Sequence, residues 1–211
     1  MGTLLNRRRY MGGGSADEII MTSTSNPEVL AICYAQGWAA HADYMTKKEA
    51  EDVTNIGNAF TGSSIVHFDE FQYFINASLA TRAFANTASL NSIYVPVDLV
   101  YEIFYNSAVK DVYICEGVTT IGTGAFRESK QLRLIDMPST LLSTSGSLHN
   151  CFPTTDTTIV CRATTPPSIN AWGNGFRTVT IYVPDSSVAA YQAVPVWSTY
   201  AANIKPLSEY E

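Results

Sequence analysis

Charge is scarce in this chain. Only 15% of its 211 residues are charged, against ~25% for an ordinary soluble domain, so its surface must be wetted by neutral groups; Thr, Ser, Asn and Tyr supply them. A surface of that kind suits a secreted protein, a virion protein or an oligomer. Cations are the scarcer sign: 13 Lys and Arg face 19 Asp and Glu, a formal net charge of −6. That balance argues against a nucleic-acid partner held by phosphate neutralisation. The three histidines, His41, His67 and His149, are far apart, and none belongs to a metal or nucleophile motif. H-E-x-x-H, G-x-S-x-G and phosphate-loop patterns are missing. The chain therefore reads as a non-enzyme with no cofactor and no metal.

The four cysteines, Cys33, Cys115, Cys151 and Cys161, form no C-x-x-C pair. They read as buried free thiols, with a Cys151–Cys161 bridge left open. No run reaches the ~18 apolar residues of a membrane-spanning helix. Met1 to Gly14 carries basic residues without the apolar stretch of a secretory signal peptide, and Asn6 stands where a myristoylation site needs Ser or Thr. The expectation is a cytoplasmic chain, a mature fragment, or one exported without a cleaved signal.

What is present falls into parts. Residues 1–21 read as a flexible arm: Leu4, Leu5 and the only basic cluster, Arg7, Arg8 and Arg9, precede Gly12-Gly13-Gly14, whose backbone freedom opposes ordering. Residues 22–56 read as a helical N-terminal cap. Asn26-Pro27-Glu28 supplies an N-cap, a first-turn proline and an acid; Val29, Leu30, Cys33 and Tyr34 share a helix face; Gly37 stops it. Thr46-Lys47-Lys48-Glu49 is a capping box for a second helix. Asp69-Glu70 reads as a solvated edge.

From residue 53 the chain repeats. Val118-Thr119-Thr120-Ile121-Gly122-Thr123-Gly124-Ala125-Phe126 leads to Leu132, Ile135 and Pro138; Val53-Thr54-Asn55-Ile56-Gly57 leads to Ala59-Phe60; Ala83-Phe84 leads to Leu90, Ile93 and Pro96. Phenylalanines 60, 84, 104, 126, 152 and 176 recur at 20–26-residue intervals, inside the band of leucine-rich repeats. Over residues 53–184 this pattern resembles the BspA-type leucine-rich repeat common in anaerobic gut bacteria. The tail, Ile181-Tyr182-Val183-Pro184 through Trp197 and Ile204-Lys205-Pro206-Leu207, is similar to the C-terminal cap of such arrays, which places that cap at residues 185–211. The copies around Phe104 and Phe152 lack the Ile-Gly and Ala residues, and residues 139–150 are looser than the pattern.

The resemblance implies a leucine-rich-repeat solenoid: short strands stacked in a parallel sheet, an irregular or helical opposite wall, and helical caps at both ends. The inward pairs are read as Ile93/Val95, Val112/Ile114, Ile135/Met137, Ile159/Cys161 and Ile181/Val183, with one Phe per coil filling the interior from the far wall. Gly57 and Gly122 are read as turn formers, and Asp185 or Ser186 as the cap of a short helix to Ala193. The outward positions then align Tyr94, Tyr113, Asp136, Val160 and Tyr182, with Leu134 in the flanking column. This column is the candidate binding face. Two functions are consistent with it. One is an adhesion or recognition module on a cell surface, taking a protein or glycan partner. The other is a structural phage protein attached to capsid or tail through Leu4, Leu5, Arg7, Arg8 and Arg9, since the opening Leu-Leu-Asn-Arg-Arg-Arg-Tyr-Met resembles short leaders of phage proteins. Either is compatible with self-association.

Overall fold

A computed structural model describes residues 15–145, 156–170 and 178–210. The first elements are β1 (Ile19–Thr22), α1 (Pro27–Ala35), β2 (Tyr44–Thr46) and α2 (Lys47–Asp52). Both expected helices form. Pro27 starts α1, and the capping box closes around α2: the Glu49 amide donates to Thr46 Oγ1 and the Thr46 amide to Glu49 Oε2 (2.7 Å). Residues 19–21, expected in the arm, instead belong to a strand: β1 pairs antiparallel with β2, and Met21 and Met45 are buried. A strand this short carries no readable periodicity. Asn26 does not cap its helix. Its Nδ2 donates to the His67 carbonyl (3.1 Å) and to Glu70 Oε2 (2.9 Å). Glu70 is accordingly half-buried rather than solvated, and burial pushes its carboxyl pKa up.

The chain then winds through β3 (Asn55–Gly57), β4 (His67–Phe68), a 3-10 turn (Asp69–Tyr73), β5 (Ser78–Leu79), β6 (Ser92–Val95), β7 (Asp111–Ile114), β8 (Thr120–Ile121), β9 (Leu134–Met137), β10 (Ser143–Thr144), β11 (Thr157–Cys161) and β12 (Val179–Val183). After a 3-10 turn (Asp185–Ser187) come α3 (Val188–Ala193), a kinked segment (Trp197–Asn203) and β13 (Ile204–Pro206). Seven strands form one parallel sheet in the order β13-β12-β11-β9-β7-β6-β4. Between β4 and β9 each strand of this sheet is followed by a traverse of the opposite wall before the next, so the strands stack as successive coils of a solenoid. All ten inward residues expected from the sequence are buried, and Ile93, Val112, Ile135, Ile159, Ile181 and Ile204 lie side by side. Pro96, Pro138 and Pro184 directly follow β6, β9 and β12 and end those strands, because proline has no amide with which to extend the ladder.

The far wall is equally regular. Phe60, Phe84, Phe104 and Phe126 are fully buried and stacked, with neighbouring centroids 5.4–5.6 Å apart. Phe152 and Phe176 lie outside the described residues. Backbone bonds tie coil to coil: the Phe84 amide donates to the Ile103 carbonyl and the Phe104 amide to the Ala125 carbonyl. Two residues before and two after the central phenylalanines the backbone turns left-handed, at Arg82 and Asn86, Glu102 and Asn106, Gly124 and Glu128. A hydroxyl three residues after each Phe returns a bond to the same wall: Ser63 to Phe60, Thr87 to Phe84, Ser129 to Phe104.

Gly57 has the expected positive φ, +51°. Gly122 does not. It is required for a different reason: a Cβ there would lie 2.5 Å from the Val100 carbonyl carbon of the preceding coil. The C-terminal helix is also held otherwise than expected. Neither Asp185 nor Ser186 caps it; Asp185 Oδ1 accepts from the Ser208 amide (3.1 Å), and Ser187 Oγ donates to the Thr164 carbonyl (2.8 Å). Tyr191 and Trp197 are buried edge to face, donating to the carbonyls of Ala163 and Pro167. Cys33, Cys115 and Cys161 are buried, and none is bridged to another described cysteine. Cys151 lies outside the described residues.

Candidate interaction surface

Parallel pairing puts the outward residues into two columns. Tyr94, Tyr113, Asp136, Val160, Tyr182 and Lys205 form one; Ser92, Asp111, Leu134, Thr158 and Thr180 form the other. The register is the one read from the sequence, but the expected exposure is not. Tyr94 is only 7% exposed and Val160 fully buried. Tyr94 is stacked on Tyr113, centroids 4.6 Å apart and planes 15° from parallel, so each ring covers a face of the other. Val160 sits between two covered neighbours. Arg162 makes a two-pronged bond to Asp136 (2.9 Å each), and Tyr210 lies against Tyr182 at 5.0 Å. Val160 is therefore core-like, and the C-terminal half of the column is roofed by the chain itself.

The other half stays accessible. Ser92, Tyr113, Asp111 and Leu134 are all partly exposed. Asp111 pairs with Arg133 (3.1 Å), and Asp69 accepts from Ser92 Oγ (3.1 Å). Tyr210 reaches towards this region too. Burial raises its phenol pKa, and the negative charges of Asp136 and Asp111 add to that.

A second cluster, on the phenylalanine wall, was not legible from the sequence. The Glu102 side chain is 1% exposed and is held by Arg82 on one coil and Arg127 (2.8 Å) on another. Burial alone would raise its pKa, but hydrogen bonds from Arg82, Tyr101 and Arg127 outweigh that and hold the carboxyl below its usual range. The guanidinium of Arg82 lies 4.5 Å from the centre of the Tyr105 ring. Beside it Asn106 Nδ2 donates to Asn86 Oδ1 (2.8 Å). No local sequence pattern announces a triad whose members stand 20 and 25 residues apart.

Among the described residues no group of His, Cys, Asp or Glu is placed to hold a metal ion. Burial pushes the thiol of Cys33 up to about 12 and that of Cys161 to about 11, so both stay protonated at neutral pH and are poor nucleophiles. His41 stacks on Tyr44 at 4.3 Å. His149 and the arm residues Leu4, Leu5, Arg7, Arg8 and Arg9 lie outside the described residues. No described helix is long and apolar enough to cross a membrane.

A family model described as a BspA type leucine rich repeat region matches residues 54–168, in six copies. Compared with curated proteins, the chain finds no match.

Proposed function

We propose, for a chain that belongs to the BspA-type leucine-rich-repeat family over more than half of its length, a non-catalytic binding role. In this reading the solenoid presents its strand face to a protein or glycan at a cell or particle surface. The helical segments at the two ends act as caps, excluding water from the first and last coils. The observation that carries the reading is the accessible half of the strand face. There Tyr113 is partly exposed and is held rigid by stacking on the buried Tyr94. Around them Ser92, Asp111 and Leu134 are presented in register by neighbouring strands. Rigid tyrosines with polar tips lose little conformational entropy on binding, which is why interfaces are rich in them.

The test is a binding screen against immobilised glycans and surface proteins, repeated with Tyr113→Ser, Asp111→Asn and, on the roofed half, Tyr182→Ser. Tyr113→Ser and Asp111→Asn should each weaken the hits at least about tenfold, the scale of an interface hot spot. Tyr182→Ser should do less. Unchanged binding in the first two variants, with unchanged oligomeric state, would dispose of the strand face as the contact surface.

A further inference from the structure

Three of the chain's few cations gather where the strands begin. Lys110 and Arg133 are neighbouring rungs immediately before β7 and β9: the amides of Arg133 and Leu134 donate to the Lys110 carbonyl at 2.7 and 3.0 Å. With Lys130, Gln131 and Asp156 they line an open cleft of about 600 Å³. Within the lining, three cations face one carboxylate, in a chain whose formal net charge is −6.

Like charges on directly adjacent rungs repel, and the chain relieves only part of this. Arg133 is drawn to Asp111 at 3.1 Å, and Lys130 lies 3.5 Å from Glu128. Lys110 pairs with no acidic side chain among the described residues, although Asp156 lines the same cleft. A column that sets Lys beside Arg and leaves one ammonium unmatched has room for a negative group supplied from outside. Lys and Arg donors together with the Gln131 amide suit the several acceptor oxygens of such a group.

We propose that this cleft is an oxyanion site, in which Lys110, Lys130 and Arg133 converge on a carboxylate, sulfate or phosphate group and Gln131 donates an additional hydrogen bond. The group comes either from an acidic glycan or from a free inorganic anion. The site stands beside the tyrosine face, at the starts of the strands, and does not depend on that face being a binding surface.

The test is isothermal titration calorimetry of the full chain at low ionic strength. The probes are inorganic sulfate, inorganic phosphate, a galacturonate trisaccharide and the neutral galactose trisaccharide. At least one anionic probe saturates a single site while the neutral sugar does not. Lys110→Gln and Lys130→Gln each weaken that binding about tenfold, as loss of a charged hydrogen-bond donor does. Lys205→Gln, on the far edge strand, leaves it unchanged, and added salt weakens it. Tighter binding of the trisaccharide identifies an acidic glycan as the source; sulfate or phosphate alone identifies a free anion. Both lysine side chains lie outside the core, so matched melting curves confirm that the variants are folded. Absence of saturable heat with every anion, equal binding of the neutral sugar, or equal loss in Lys205→Gln overturns the proposal.

Discussion

The rings of Phe104 and Phe126 lie 5.6 Å apart, centroid to centroid, and within 6° of parallel. The two residues belong to successive coils, so this contact is the repeat itself expressed as packing. Neither ring is exposed. Phe126→Ala should cost about 3–5 kcal/mol, from lost burial together with the cavity left beneath the Phe104 ring. Urea titration followed by circular dichroism measures it. A loss below about 1 kcal/mol would mean that the stack contributes little.

Glu102 joins Arg82 and Arg127 while almost completely enclosed. Glu102→Gln should destabilise the chain by about 1–3 kcal/mol, because the guanidinium donors lose a charged acceptor. A pH dependence accompanies it. The folded-state pKa is depressed, so the stability that Glu102 contributes is complete above the unfolded carboxyl value, about 4.3, and disappears as pH falls through the lower folded value. Unfolding free energies measured between neutral pH and strongly acidic pH should converge for the two proteins at the acid end. Parallel curves would contradict the assignment.

Two glycines should separate steric crowding from backbone strain. A Cβ at Gly122 meets backbone atoms of Leu99 and Val100 at 2.5–2.7 Å, whereas one at Gly62 meets nothing within 4 Å but sits at a φ of +69°. Gly122→Ala must push two coils apart, at about 3 kcal/mol or more. Gly62→Ala pays only for a left-handed alanine, about 1–2 kcal/mol. Thermal melts of the two variants in one buffer rank them.

Thr144 is 4% exposed, and its hydroxyl finds no hydrogen-bond partner among the described residues. It pairs with Ile121 on the adjacent coil, where an aliphatic residue would be at home. Thr144→Val keeps the shape and removes an unsatisfied polar group. Stability should be unchanged or higher by about 1 kcal/mol; a clear loss in denaturant titration would reveal an acceptor for that hydroxyl.

Periodic features were readable because a solenoid makes the same demand of every coil. The inward pairs from Ile93/Val95 to Ile181/Val183 and the phenylalanines at 60, 84, 104 and 126 all reach the interior, since each must bury the same face against the coil before and after it. Features that occur once escaped. The β1–β2 pair is too short to show alternation, and Asn26, which looks like an ordinary helix cap, reaches 41 residues ahead to the His67 carbonyl. Gly122 is necessary for a reason other than its φ, because a clash with the preceding coil leaves no mark in its own neighbourhood.

The candidate surface divides the same way. Which residues align along the strand face, from Tyr94 to Tyr182, follows from a two-residue alternation and a constant repeat, and the sequence alone determined it. How much of that face meets solvent was decided only by the tertiary structure. Arg162 and Tyr210 return over Asp136 and Tyr182, while Lys110, Lys130 and Arg133 are drawn to one cleft by coil stacking. Exposure depends on everything that packs above a residue, including chain dozens of positions away, whereas inward or outward direction depends only on the strand that carries it.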